Sequence, residues 1–316
     1  MSRFSPEQLA QGVLAGDMRA LARLISLVED EVPSARAALA ILYPRTGRAH
    51  LVGVTGAPGT GKSTLVNEMA KVYRRRGLTV GIVAVDPTSP FSGGAILGDR
   101  VRMRELAGDP GIFIRSMATR GSLGGLARAT SDVVKLLDAA GFDRVLIETV
   151  GAGQAEVDIA KTAHTTIVVE TPGLGDDIQA IKAGILEIAD VFAVNKADRE
   201  GADSAVTALE MMLDINGTEP GQWRPPIVKT VAVRGDGVPE LVDRVEAHYE
   251  HLRQSGLLAH KEEGRVRDEL LALVQHELTE ALLASLQPGE LDEWVRRVAR
   301  RETDPYAAAR ALVVRE

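Results

Sequence analysis

Residues 56 to 63 read Gly56-Ala57-Pro58-Gly59-Thr60-Gly61-Lys62-Ser63, with Thr64 following, directly after the apolar run Leu51-Val52-Gly53-Val54. The pattern Gly-x-x-x-x-Gly-Lys-Ser is that of a phosphate loop. Its glycines let the main chain curl around a polyphosphate with successive N–H groups turned inward, while the helix that follows presents its positive N-terminal end. Lys62 is spaced to reach the β- and γ-phosphates, and Ser63 to offer its hydroxyl to Mg2+. Leu65, Val66, Met69 and Ala70 recur at helical spacing behind the loop, so strand and helix flank it as the chemistry requires.

The base is specified further along, where Val191-Phe192-Ala193-Val194 runs into Asn195-Lys196-Ala197-Asp198. A carboxylate at Asp198 can accept from guanine N1–H and from the 2-amino group, whereas adenine offers neither donor there. Guanine is therefore the expected base. Lys196 is expected along the base plane, and Asn195 as a brace for the loop.

An octahedral Mg2+ holding phosphate oxygens and Ser63 needs further hard oxygen ligands. Carboxylates at the C-terminal ends of strands are the candidates, because ligands gather there in open α/β sheets. Asp86 closes the run Val80–Val85, Asp99 follows a glycine-rich loop, and Glu148 closes Val145-Leu146-Ile147. Lys62, Asp86, Asp99 and Glu148 form the expected catalytic set. In Glu148-Thr149-Val150-Gly151-Ala152-Gly153-Gln154, Gly151 is placed to donate its main-chain N–H to the γ-phosphate. Gln154 lies three residues beyond Gly151 and is given no water-orienting role. A second switch is expected in Thr171-Pro172-Gly173-Leu174-Gly175-Asp176-Asp177 and the helical pattern after it, with Gln179 and Lys182 on that segment.

These residues must be positioned by an α/β fold. Apolar strand-like runs at Leu51–Val54, Val80–Val85, Ile112–Ile114, Val145–Ile147, Thr166–Val169, Val191–Val194 and Ile227–Val231 alternate with helical stretches. Such alternation predicts a mainly parallel central sheet flanked by helices. Residues 1–47 read as a helical extension, with Ser5-Pro6-Glu7-Gln8 as a capping box and Pro at the first helical position. Residues 48–246 form the expected nucleotide domain, and 247–316 a C-terminal helical arm in which Asp304-Pro305 starts a helix.

Composition bounds the remaining classes. A chain of 316 residues with 45% hydrophobic residues can bury a sizeable core. A formal net charge of -7 argues against nonspecific nucleic-acid binding, and the basic runs Arg74-Arg75-Arg76 and Arg297–Arg301 read as solvated helix faces. With no cysteine, disulfides, thiolate metal sites and cysteine nucleophiles are excluded. There is neither a signal-peptide pattern nor an uncharged apolar run of about 18 residues, so cytoplasmic residence is expected. His248 and His251, three apart on a helical segment, read as a solvated face.

The phosphate loop, Asp86-Pro87-Thr88-Ser89-Pro90, Gly98-Asp99-Arg100, the 148–154 segment, the Gly-Leu-Gly-Asp-Asp loop and Asn195-Lys196-Ala197-Asp198 together resemble the MeaB/ArgK-type GTPases of the SIMIBI class. Gly16–Arg23 and Asp304-Pro305-Tyr306-Ala307-Ala308 extend the resemblance over nearly the whole chain. The resemblance implies a GTP hydrolase that serves an adenosylcobalamin-dependent acyl-CoA mutase, methylmalonyl-CoA mutase foremost. It implies gating of cofactor delivery, protection or reactivation of the mutase, an adenosyltransferase as a further partner, and a homodimer formed through the C-terminal arm. It also implies Mg2+ at Ser63, Asp86, Asp99 and Glu148, guanine at Asn195, Lys196 and Asp198, and the Ala232-Val233-Arg234 segment over the base. Ala232 stands where many GTPases carry Ser, and its N–H is expected on the guanine carbonyl oxygen.

Hydrolysis is expected by in-line attack of water, slow without a partner because no arginine finger is assignable in cis, with Lys182 as a candidate to be brought in by the mutase. Two other classes share some of these features. A metallochaperone GTPase would share the phosphate loop but generally carries Cys/His clusters, and a kinase or transport ATPase would have no use for Asp198.

Overall fold

The computed structural model describes residues 5–86, 106, 108–118, 125–149, 159–173, 187–217 and 221–314. Asp99, Gly151, Gln154, Gly175, Asp176, Asp177, Gln179 and Lys182 lie outside these residues, as does the side chain of Asp86. The chain divides into two compact units, Met1–Ala259 and His260–Glu316.

The first unit opens with three helices, α1 (Pro6–Leu14), α2 (Met18–Glu29) and α3 (Pro33–Leu42). The capping box is present as expected: Gln8 N donates to Ser5 Oγ and Ser5 N to Gln8 Oε1. All seven apolar runs are strands: β1 (His50–Thr55), β2 (Val80–Asp86), β3 (Ile112–Ala118), β4 (Arg144–Thr149), β5 (Thr165–Glu170), β6 (Val191–Asn195) and β7 (Ile227–Thr230). Every pairing is parallel, in the order β3-β2-β4-β1-β5-β6-β7. A parallel sheet needs cover on both faces, and α4 (Lys62–Arg75), α5 (Gly125–Ala139), α6 (Ala202–Asn216) and α7 (Val238–Gln254) join α1–α3 in supplying it.

Alternation along the strands sorts the core into its layers. Leu51, Val83, Val85, Val145 and Ile147 pack with α1–α3 and α5, whereas Val52, Val54, Ile82, Leu146 and Ile167 pack with α4 and α7. Gly53 faces the first layer, where a Cβ would come within 2.4 Å of Ile159 Cγ2. The absence of a side chain is what allows that close approach. Of the basic run, Arg75 and Arg76 are exposed, but Arg74 is half-buried and paired with Asp109 at 2.9 Å, tying α4 to the segment before β3.

At the N-terminal edge of the sheet the histidine expectation is overturned. His248 is 2% exposed, because Val238, Leu241, Val242, Val245 and Leu252 share its side of α7 and place it on the buried stripe. His251 is half-buried beside Trp223. Thr165 Oγ1 lies 2.9 Å from His248 Nδ1 and 2.8 Å from His50 Nε2, and His248 Nε2 lies 3.3 Å from Asp190 Oδ1. One hydroxyl carries one proton. With both rings neutral, all three contacts are satisfied only if His50 donates to Thr165, Thr165 to His248 and His248 to Asp190. His50 Nδ1 is then an acceptor, 3.6 Å from Glu246 Oε1, and it makes no hydrogen bond.

The second unit, His260–Glu316, holds the greater part of α8 (Leu257–Ser285), then α9 (Glu290–Ala299) and α10 (Pro305–Val313). Asp304 caps α10 as expected, accepting from Tyr306 N and Ala307 N. Acidic residues in the first turn of α9 and Arg296 and Arg297 in its last turn complement the helix dipole. Among the described residues, no helix is long and apolar enough to cross a membrane.

The histidine relay gives a pH dependence with a definite sign. Burial holds the His50 pKa down to about 4, against an ordinary 6.5. Burial works to raise the Glu246 carboxyl, but the Arg144 guanidinium forked onto it outweighs burial and holds the pKa at about 2. Below pH 6.5 the unfolded chain takes up a proton that folded His50 refuses, so stability is full above that pH and falls toward pH 4. Denaturant unfolding should lose on the order of 2–3 kcal/mol between pH 7 and 4.5. His50→Gln should flatten most of that slope, and an unchanged slope would remove His50 as its source.

Candidate nucleotide and metal site

The expected phosphate loop joins β1 to α4, at the point where the chain turns from β4 across β1 to β5. This is the crevice in which open α/β sheets bind ligands. Gly56, Gly59 and Gly61 have φ of 140°, 81° and 93°. At Gly56 a Cβ would meet Val169 O at 2.2 Å, and at Gly61 it would meet Asn195 Nδ2 at 2.5 Å. Both positions therefore exclude a side chain on two grounds, conformation and space. Gly61 caps α4 without a side-chain hydrogen bond, which leaves first-turn N–H groups for an anion.

Lys62 is 5% exposed, and its ammonium donates to Gly56 O at 2.8 Å and Ala57 O at 2.9 Å. Loop carbonyls thus hold the cation over the cradle. Ser63 Oγ donates to Glu148 Oε1 at 2.5 Å, and Glu148 is buried at the end of β4. A hydroxyl and a carboxylate oxygen so close together beside a phosphate cradle are hard donors of the kind Mg2+ takes. Asp86 closes β2, which pairs with β4 in the register Ala84↔Glu148, so its main chain reaches the same edge. Among the described residues, no cluster of three His, Asp or Glu side chains forms a metal site. The fit to Mg2+ thus rests here on Ser63 and Glu148.

Asn195 joins the two halves of the site. It is 2% exposed; its Nδ2 donates to Thr60 O at 2.8 Å, and its Oδ1 accepts from Thr230 Oγ1 at 3.2 Å and Ala232 N at 3.0 Å. Lys196, in the left-handed region at φ 57°, extends its ammonium to Gly59 O at 2.7 Å. The Ala232 N–H expected on the guanine carbonyl is therefore already engaged by Asn195. Among the described residues no acceptor pairs with the next N–H in the turn, that of Val233, whose side chain is 81% exposed. Asp198 is exposed, with Arg234 Nη1 at 3.7 Å.

Two residues of the site were not anticipated. Thr230 supports Asn195 with its hydroxyl and accepts from Ala197 N with its carbonyl. Asp236 holds Arg234 Nε at 2.7 Å. The signal for the first was a β-branched hydroxyl at the end of the neighbouring strand, and for the second an Arg-x-Asp spacing within a glycine-rich turn.

Residues 21–287 match the family described as methylmalonyl Co-A mutase-associated GTPase MeaB. The chain belongs to this family. It is 51% identical over 305 residues to a putative GTPase of Pyrococcus abyssi, spanning 96% of this chain and 94% of that one. The GTPase ArgK of Escherichia coli is 37% identical over 233 residues, covering 72% and 70% of the two chains. The mitochondrial methylmalonic aciduria type A homolog of Caenorhabditis elegans is 31% identical over 311 residues, covering 90% and 78%. The crystal structure of an LAO/AO transport system kinase superposes with a TM-score of 0.75 at 26% identity, covering 99% of this chain and 97% of that one. The fold is that of a P-loop GTPase with helical extensions, and the chain is a GTP hydrolase.

Asn195→Ala should remove three hydrogen bonds from a buried position and leave Thr60 O and Ala232 N without their partner. A destabilisation of about 2–3 kcal/mol is expected in denaturant unfolding, together with weaker binding of guanine nucleotides. Full stability with nucleotide binding alone affected would contradict the bracing role.

Proposed function

We propose that this GTPase serves an adenosylcobalamin-dependent acyl-CoA mutase, methylmalonyl-CoA mutase foremost, by gating cofactor delivery and by protecting or reactivating the mutase. The observation that carries this reading is the match over residues 21–287 to a family described by its association with that mutase. The nematode relative, named for methylmalonic aciduria, supports it. An adenosyltransferase is a further partner in this reading, and a cytoplasmic location goes with it.

In the proposed site Asp198 accepts from guanine N1–H and the 2-amino group, and Lys196 lies along the base. The Val233 N–H takes the carbonyl contact that Ala232 cannot make. Lys62 exchanges its carbonyl partners for β- and γ-phosphate oxygens, a short move because the ammonium already stands over the cradle. Ser63 and Glu148, with Asp86 and Asp99, would hold Mg2+, which neutralises phosphate charge when bound. Water attacks the γ-phosphorus in line and the bond to the β–γ bridging oxygen breaks, with Lys62 and the loop N–H groups stabilising the charge. Gly151 N–H and the loop from Gly173 to Lys182 are the proposed sensors of the γ-phosphate.

The C-terminal arm is proposed as the contact with a second copy of the chain. Val266, Leu270, Val274 and Leu278 recur every four residues on α8 with 43% to 66% exposure, and Leu291 and Val295 are exposed on α9. Apolar rows of this kind are usually covered in a stable assembly. Leu270→Glu combined with Leu278→Glu should halve the mass measured by light scattering, and an unchanged mass would exclude this row as the contact.

GTP hydrolysis should rise at least about tenfold when purified methylmalonyl-CoA mutase is added. The rise should be confined to GTP, with ATP and the Asp198→Asn variant as controls. GTP hydrolysis indifferent to any acyl-CoA mutase would leave the nucleotide site in place and remove the partner.

A further inference from the structure

The turn after β7 makes one contact with Asp198 that phosphate chemistry does not use. Arg234 stands between two carboxylates: Asp236 Oδ2 accepts from its Nε at 2.7 Å, and Asp198 Oδ2 lies 3.7 Å from its Nη1. The turn that carries it is stiff. Val231 bridges to Asp236 in antiparallel fashion, with Val231 N on Asp236 O at 3.0 Å, and Arg234 N donates back to Val231 O at 2.9 Å. Gly235 and Gly237 have φ of 76° and 73°, and at Gly237 a Cβ would meet Lys229 O at 2.0 Å. The main chain is fixed by its own bonds, and Asp236 then orients the guanidinium.

We propose that Arg234 is a positioning residue for guanine selection, setting the Asp198 carboxylate in rotation so that both of its oxygens meet the base edge. This rests on the reading of Asp198 as the guanine acceptor. Arg234 supports the base rather than competing with it, because it approaches one oxygen only, at ion-pair and not hydrogen-bond distance. A carboxylate has about four acceptor positions, so those needed by N1–H and the 2-amino group stay open. The exposed Asp198 side chain has no other ion-pair partner among the described residues. Without Arg234 the carboxylate would rotate freely, and the nucleotide that needs both oxygens would lose most. Inosine lacks the 2-amino group and presents a single donor, so GTP is more sensitive than ITP to this rotation.

The test is competition of GTP and ITP against a fluorescent guanine nucleotide on the full chain, for wild type, Arg234→Ala, Arg234→Lys and Asp236→Asn. Arg234→Ala should narrow the preference for GTP over ITP about twofold to fivefold, the range of an exposed ion pair. Arg234→Lys should restore part of it, since the charge returns without the planar fork, and Asp236→Asn should narrow it by loosening the tether. Equal weakening of GTP and ITP would overturn the proposal in favour of a stacking or purely structural role. Tighter GTP binding by Arg234→Ala would overturn it by making Arg234 a competitor of the base. Wild-type protein that prefers GTP over ATP but keeps its GTP/ITP ratio in Arg234→Ala sinks this inference alone. No preference for GTP over ATP in wild type sinks the guanine reading and this inference with it.

Discussion

One carboxamide holds the nucleotide site together. Asn195 stands at the end of β6 and spends its side chain on three main-chain or hydroxyl partners from two other segments, all in the dry interior. In water each of these bonds would contribute little, but a buried polar group that loses its partner costs far more than the bond was worth. The phosphate loop and the turn after β7 are thereby locked to the same residue, and neither can shift without breaking the other's contact. Lys196 adds a second tie, from the residue that follows to the neighbouring loop carbonyl.

The two ends of the parallel sheet have been given opposite tasks. At the carboxyl ends, glycines and the N-terminal end of α4 leave room and charge for an anionic ligand. The amino ends are closed instead: His50, Thr165, His248 and Asp190 satisfy one another in a single direction of donation, with Arg144 forking onto Glu246 alongside at 2.8 and 2.6 Å. Polar chemistry at that edge fastens α7 to the strands it covers. The parallel arrangement makes this division possible, because all seven strands point the same way and their ends gather by type.

Much of this was legible in the residues themselves. The seven strands were recoverable because runs such as Val191–Val194 are buried on both faces and need no alternation, and the phosphate loop because its spacing admits few other uses. Ser5, Gln8 and Asp304 marked helix starts through local side-chain bonds, which depend on neighbours in the chain alone. What escaped depended on partners distant in sequence. Val231 looked like the end of β7, but the turn folds back and pairs it with Asp236 in the antiparallel sense. Ala232 looked like a donor to the base until Asn195 was seen to occupy its N–H. His248 was missed although its cue was present: it falls seven residues after Leu241 and three after Val245, on the stripe that α7 buries.

The closeness of Gly56 to Val169 O and the bond from Asn195 to Thr60 O, across 135 residues, bear on how the molecule is made. A ribosome delivers the phosphate loop early, but the strands that shape it arrive much later. Contacts of such sequence separation are slow to form, because a long loop must close before they reward it. The phosphate loop is therefore braced only once β5 and β6 stand beside it. A ligand that binds only the assembled site then stabilises the folded chain by mass action, and so rewards the very contacts that are slowest to form.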